Sequence, residues 1–356
     1  MHPTFYQLIV ADIRQETKDC VSIAFDVPEH LTARYSFTQG QYLTLKTNIN
    51  GEEVRRSYSI CSSPNDGELR VAVKQVNGGK FSTFANTQLR IGDVLDVMTP
   101  VGKFFTPLHI ANRNNYVAFA AGSGITPIFS IMKTVLLNEP ESSFTLFYGN
   151  KSTESIIFRE QIEALKNRFL NRLSVHYILS KEAQSSPLFN GHINADKCNK
   201  FAKIFFTSAD VNAYFLCGPL PMIESVSETL QALGAPKNNI HFELFDTHNL
   251  PKKTQTATPD IPQNITSHVA LFLDGLRIDF PVPPNTNILE AALANGADLP
   301  FACKSGVCCT CKAKLLEGRV SMEVNYGLEP DEIKNGYILT CQSIPLTENI
   351  TVSFDA

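Results

Sequence analysis

Residues 301–311 read Phe-Ala-Cys-Lys-Ser-Gly-Val-Cys-Cys-Thr-Cys, and Cys341 follows Cys311 with twenty-nine residues between them. Cys303, Cys308, Cys311 and Cys341 therefore stand in the C-x₄-C-x₂-C…C spacing of plant-type [2Fe–2S] centres. The spacing has a physical basis. Four thiolates must converge on two irons, and one tight loop supplies three of them. Ser305 and Gly306 put little side chain into that loop, so backbone N–H groups can turn toward the sulfurs. Cys309 is skipped by the x₂ spacing and is read as a non-ligand. A zinc site would show a second C-x₂-C knuckle, and a Rieske centre would replace two cysteines by histidines. Neither is present near this loop.

The rest of the composition bounds the function. The chain has 356 residues, enough for two or three domains. Its net charge of −4 and pI near 6.1 argue against nucleic-acid binding. The N-terminus lacks a basic stretch followed by an apolar one, and no run approaches the ~20 apolar residues of a membrane helix. The expectation is a cytoplasmic protein with no membrane partner. Five of the nine cysteines cluster near the C-terminus. That distribution belongs to a metal site in a reducing compartment, not to a disulfide framework.

Composition also marks the boundaries. Residues 247–266 hold three prolines, five threonines and no aromatic residue, which reads as a semi-extended linker. Before it, short alternating runs at 21–27, 42–46, 55–60, 69–76 and 94–98 are broken by Gly, Pro and Asn-Asp-Gly turns, the pattern of an antiparallel barrel. From about residue 110 the pattern changes to continuous apolar runs at 116–121, 143–148, 173–178 and 213–216, separated by helical stretches. That alternation predicts a doubly wound α/β domain. The expected organisation is 1–108 barrel, 109–246 α/β domain, 247–266 linker and 267–356 ferredoxin-like domain.

Four short motifs carry chemistry. Arg56-Ser57-Tyr58-Ser59 offers a cation for phosphate, a ring for a flat heterocycle and a hydroxyl for a ring nitrogen. Gly78-Gly79-Lys80-Phe81-Ser82 lets backbone approach a pyrophosphate at a helix start. Gly122-Ser123-Gly124-Ile125-Thr126-Pro127 follows a buried run and opens a helix, and Cys217-Gly218-Pro219 with Met222 repeats the arrangement. Taken alone, each is equally an edge strand, a hairpin turn or a plain strand-to-helix turn. After Tyr148-Gly149-Asn150 come Lys151, Ser152 and Arg159, with no acid between 148 and 153. A basic, hydroxyl-bearing turn at that strand end suits a 2′-phosphate and predicts NADPH over NADH.

Together the motifs resemble the ferredoxin–NADP⁺ reductase superfamily over nearly the whole chain. A ferredoxin fused behind the linker is similar to oxygenase reductases. The resemblance implies a flavin barrel, a nucleotide-binding domain and a β-grasp ferredoxin. It implies FAD held by Arg56, Ser57, Tyr58, Ser59, Val73, Lys74, Gly79, Lys80, Phe81 and Ser82. Gly122, Gly124, Thr126, Pro127, Gly218, Pro219 and Met222 would border the coenzyme, with Asn150, Lys151, Ser152 and Arg159 at its far end. Ser59, Cys217 and Glu243 would be catalytic, and Phe245 would lie at the far side of the flavin. Electrons from NADPH would pass through FAD and the cluster to a diiron oxygenase component that epoxidises the ring of phenylacetyl-CoA, or to another oxygenase, hydroxylase or desaturase.

Overall fold

The computed structural model describes residues 4–245, 266–322 and 324–356, so most of the linker expected at 247–266 lies outside the described residues. The chain forms two compact units, Phe5–Phe245 and a C-terminal one.

In the first unit, six antiparallel strands make one sheet: β1 (Phe5–Thr17), β2 (Cys20–Asp26), β3 (Tyr42–Ile49), β4 (Glu52–Ser59), β5 (Leu69–Lys74) and β6 (Val94–Met98), in the order β4-β3-β6-β1-β2-β5. A bridge between Ile60 and Val71 joins the two edges and closes the barrel. Alternation then sends Val10, Ile23, Leu43, Leu45, Val71 and Val97 inward. Helix α1 (Lys80–Thr87) caps this core with Phe81 and Ala85. Strand β1 is the one barrel strand that the alternating runs do not announce. Register shifts at Val10/Asp12 and Gln15/Thr17 each reset which face a side chain takes, so its inward set loses the period of two.

The same unit holds a parallel sheet of β7 (Asn115–Ala121), β8 (Ser143–Asn150), β9 (Leu173–Leu179), β10 (Ala213–Cys217) and β11 (Ile240–Glu243), ordered β11-β10-β7-β8-β9. Helices α2 (Ile125–Asn138), α3 (Arg159–Arg168), α4 (Ala195–Ile204) and α5 (Leu220–Ala232) connect or flank the strands. The chain winds outward from β7 in both directions, so the order reverses between β7 and β10. A crevice opens at such a switch point, beyond the carboxyl ends of the strands. The turns after β7 and β10, Gly122–Gly124 and Cys217–Pro219, end there. Helix α2 is buried along most of its length, because it lies between this sheet and the barrel segment Ser62–Asp66.

The C-terminal unit is a mixed sheet of β12 (Ser267–Leu273), β13 (Leu276–Val282), β14 (Lys312–Glu317), β16 (Tyr337–Leu339) and β18 (Asn349–Ser353), ordered β13-β12-β18-β14-β16. Strands β15 (Val320–Met322) and β17 (Ser343–Pro345) pair separately. Helix α6 (Ile288–Ala294) packs Ile288, Leu289, Ala291 and Ala292 onto the sheet, and a short helix α7 (Pro330–Lys334) sits before β16. The parallel pair β12–β18 at the centre, with a helix across one face, is the β-grasp arrangement.

Candidate functional site

The barrel strand β4 ends at Ser59, which is buried, and its hydroxyl donates to Glu243 Oε2 at 2.9 Å. These residues are 184 positions apart. Strand β11 makes the meeting possible, because it pairs with β10 in a register that sets Glu243 beside Cys217. Burial lifts the Glu243 carboxyl to about 7, against the pull of the Ser59 hydroxyl. Burial also drives the Cys217 thiol well above its ordinary value, and the neighbouring Glu243 adds to the effect. Ser59, Cys217 and Glu243, which the family resemblance groups together, thus form one cluster. Phe245 lies just beyond, exposed.

Around Ser59 the barrel supplies a ring face and a glycine turn. Tyr58 packs on Phe81, ring centroids 5.5 Å apart. Ser57 shares a hydrogen bond with Thr44. Arg56 is exposed and turns one N–H to the Arg55 carbonyl at 2.7 Å. Val73 is fully buried, and Lys74 faces Asp19 at 3.7 Å. Gly79 begins α1, and a Cβ there would come 2.4 Å from Ser82 Oγ, which accepts the Val76 N–H. A larger residue there would have to displace the Ser82 side chain and its bond to Val76. Lys80 is engaged by Glu52, an acid absent from the sequence motif. A phosphate that uses Lys80 must compete with it.

At the crevice, close backbone contact dictates glycine at Gly124. A Cβ on Gly124 would lie 2.1 Å from the Cys217 carbonyl oxygen, and one on Gly218 would meet Met222 Cε at 2.7 Å. Gly122 has φ +54°, and its carbonyl accepts the Tyr148 hydroxyl at 3.0 Å. Thr126 donates to the Ser123 carbonyl at 3.0 Å, and Pro127 sits in the first turn of α2. Pro219 precedes α5 at its N-cap. Asn150 ends β8, is 9% exposed, and neither polar atom of its amide has a hydrogen-bond partner. Leaving such a group unmatched costs about 1–3 kcal/mol, so the Asn150 amide has bonds to offer a water or a ligand.

The turn after β8 is less purely basic than the sequence implies. Lys151 and Arg159 are exposed, and Ser152 bonds through its N–H to Ser155 Oγ at 3.0 Å. The end of β9 adds Ser180, Lys181 and Glu182. Ser180 N–H donates to the Asn150 carbonyl and Lys181 N–H to the Lys151 carbonyl. Glu182 takes both the N–H and the hydroxyl of Thr153 at 2.7 Å, and the Thr153 N–H holds its carboxyl below the usual range.

In the C-terminal unit the four ligand candidates fall into two pairs. Cys308 Sγ donates to Cys303 Sγ at 3.1 Å, and the N–H groups of Ser305 and Cys308 also point at Cys303 Sγ. The Cys308 thiol, then Ser305, pull the Cys303 thiol down to about 5. Cys311 and Cys341 make the second pair, and the neighbouring Cys311 thiol lowers Cys341. Thr340 fastens this second pair, donating both N–H and hydroxyl to the Cys311 carbonyl at 3.1 Å. Gly306 has φ +76° and leaves no room for a Cβ against the Val324 carbonyl. Thiols paired two and two, with backbone N–H groups aimed at sulfur, fit a two-iron cluster. Cys309 is half-buried, and its carbonyl accepts Lys312 N–H.

Comparison with known proteins agrees with this geometry. Residues 7–106 match the oxidoreductase FAD-binding domain, 119–228 the oxidoreductase NAD-binding domain and 271–346 the 2Fe-2S iron-sulfur cluster binding domain. The chain is 43% identical to a subunit of 1,2-phenylacetyl-CoA epoxidase from Escherichia coli (strain K12), over 99% of this chain and 98% of that one. The chain belongs to the ferredoxin-reductase family of oxygenase reductases.

The reductase is also 32% identical to the ferredoxin reductase component of 3-ketosteroid-9-alpha-monooxygenase from Rhodococcus rhodochrous, over 98% of this chain and 96% of that one. Its fold is that of phthalate dioxygenase reductase (TM-score 0.60, 24% identity, 98% of each chain). It is an oxidoreductase with sites for FAD, a pyridine nucleotide and a [2Fe–2S] cluster. Among the described residues no helix is long and apolar enough to cross a membrane. Sequence reasoning missed Ser180, Lys181, Glu182 and Glu52. A signal for the first three existed. Neighbouring parallel strands end on one edge of a sheet, so the residues following β9 had to lie beside those following β8.

Proposed function

We propose that the reductase draws electrons from NADPH and delivers them to a diiron oxygenase component that epoxidises the aromatic ring of phenylacetyl-CoA. The 43% identity across nearly the full length of the Escherichia coli relative carries this reading. The 3-ketosteroid relative, at 32%, supports the wider alternative, a reductase for another oxygenase, hydroxylase or desaturase.

When bound, FAD takes a hydride from the nicotinamide and releases electrons one at a time, and the cluster carries them singly. The chain's own residues do the rest. Arg56, Ser57, Tyr58, Val73, Lys74, Gly79, Lys80, Phe81 and Ser82 hold the flavin, and Cys303, Cys308, Cys311 and Cys341 hold the cluster. Gly122, Gly124, Thr126, Pro127, Gly218, Pro219 and Met222 shape the coenzyme crevice, with Asn150 binding through its open amide. Lys151, Ser152, Arg159 and Lys181 face the 2′-phosphate. Glu182 opposes it, so preference rests on three cations outweighing one acid. Phe245 shields the flavin, and Cys217 excludes water beside it.

Ser59 and Glu243 manage one proton. With Glu243 ionised, the Ser59 hydroxyl donates to it and offers its lone pairs to a flavin N–H. With Glu243 protonated, the carboxyl donates to Ser59 Oγ, and the Ser59 hydroxyl is free to donate to an unprotonated flavin nitrogen. A carboxyl at about 7 is suited to both states at neutral pH. The test of the acceptor is direct. The purified reductase is mixed with the phenylacetyl-CoA oxygenase component and, separately, with a steroid-type oxygenase component, and NADPH-driven product is measured. Product with the first alone supports the proposal; product with the second alone overturns it.

A further inference from the structure

Thr126, Ser130 and Thr134 recur every four residues on α2 and so share one stripe of the helix. All three are buried, and α2 otherwise presents Ile125, Ile128, Ile131, Met132, Val135 and Leu136 to its surroundings. Polar groups at such depth need partners. Thr126 lies at the coenzyme turn. The other two reach the barrel. Ser130 Oγ donates to the Ser62 carbonyl at 2.6 Å. Thr134 Oγ1 lies 2.6 Å from the Ser130 carbonyl and 2.9 Å from Ser63 Oγ. A hydroxyl has one proton, so Thr134 donates along the helix and accepts from Ser63. Two contacts nearer the surface extend the row, Lys133 to Asp66 at 2.6 Å and Asn138 to Asn65 at 2.9 Å.

The barrel side of this row is Ser62–Ser63, three and four residues beyond Ser59 in the chain. Two short rigid links therefore meet at the seam. One runs from Ser59 along the backbone to Ser62. The other runs from Thr126 through one helical turn to Ser130. We propose that Ser130 and Thr134 are positioning residues for hydride transfer, fixing the coenzyme turn in register with the flavin strand.

Apolar faces can slide past one another in small shear steps, whereas buried hydroxyl–carbonyl bonds accept one register only. The arrangement thus supplies what an apolar seam would not, a single distance between the two reacting rings. This inference rests on the placement of flavin at Ser59 and coenzyme at Thr126 proposed above.

The test uses the full-length, cofactor-loaded reductase carrying Ser130→Ala with Thr134→Val, which keeps the seam's volume. Flavin reduction is followed by anaerobic stopped flow with NADPH and with NADH. The limiting rate is expected to fall about tenfold, short of the ~100-fold that a full ångström of misplacement brings. The long-wavelength nicotinamide–flavin charge-transfer band should weaken, while flavin content, dithionite reduction and coenzyme affinity stay unchanged. An unchanged limiting rate with an intact band overturns the proposal. Should the double variant lose its flavin, Lys133→Met at the outer end of the row gives the answer, with about a threefold loss expected and no loss contradicting. Ser59→Ala in the same assay keeps the two readings apart. If it fails to slow reduction, the flavin placement is wrong; if it slows reduction while the seam variants do not, the seam alone is wrong.

Discussion

Ser59 and Cys303 belong to the two redox regions of this chain, and they are held in different ways. Ser59 is fixed by folding. Its hydroxyl is bonded to a carboxyl 184 residues away, and strands β4, β10 and β11 hold both ends. Cys303 sits in a loop whose internal bonds run mainly to sulfur, from Cys308 and from backbone N–H groups. The flavin region is finished once the barrel and sheet have formed. The proposed cluster site, three loop thiols with Cys341 beside them, would be completed by ligation, which is coupled to deprotonation. Changes at the first region should alter rates; changes at the second should decide whether the group is there at all.

The largest effect expected is therefore at the second. Cys311→Ser should abolish the iron–sulfur absorbance and reduce NADPH-driven cytochrome c reduction by roughly 100-fold or more, with flavin reduction by NADPH unchanged. Wild-type iron content in that variant would break the comparison. Next comes Ser59→Ala, for which flavin reduction should slow by about 100-fold, at the low end for loss of a proton-handling group, while iron and sulfide content stay at two per chain. Loss of the cluster in this variant would show that the regions are not independent.

Smaller effects sharpen the flavin side. Lys151→Ala with Arg159→Ala should raise the KM for NADPH about tenfold and leave that for NADH within twofold, since charge-assisted phosphate bonds are lost only with NADPH. Glu182→Gln should act the other way, lowering the KM for NADPH a few-fold. The smallest effect is in pH dependence. Glu243 has its carboxyl raised to about 7 in the folded chain against an ordinary 4.5. The native state thus binds this proton more tightly than the unfolded one. Its contribution to stability is full below about 4.5 and is lost as pH rises toward 7. Glu243→Gln should flatten that part of the stability–pH curve and remove an inflection near pH 7 in the flavin-reduction rate. An inflection retained in the variant would assign it to another group.

The same contrast explains what could be read from sequence. The proposed cluster ligands lie in one loop plus a single later cysteine, so spacing alone is enough to propose them. The barrel and the parallel sheet were legible through their periods of two and their continuous apolar runs, except at β1, where two register shifts scramble the alternation, and at β11, a four-residue edge strand too short to show a run. Glu243 could be named only by family likeness, since nothing local in His241-Phe242-Glu243 says that β11 lies beside Cys217. Glu182 and Lys181 escaped because their partners follow the neighbouring strand β8, and Glu52 because its partner Lys80 opens helix α1; charge at a turn is set by the sheet order as well as by the turn. Ser130 and Thr134 are small polar residues in an apolar helix, a pattern that looks like noise until the barrel is placed against it.

Anaerobic titration of the purified, cofactor-loaded reductase with NADPH, followed together by visible absorption and EPR, tests the central claim most directly. Bleaching of a bound flavin is expected, accompanied by the EPR signal of one reduced [2Fe–2S] cluster per chain, that signal disappearing in Cys311→Ser. Flavin bleaching with no iron–sulfur signal in protein reconstituted with iron and sulfide, or zinc bound at Cys303, Cys308, Cys311 and Cys341, would contradict it.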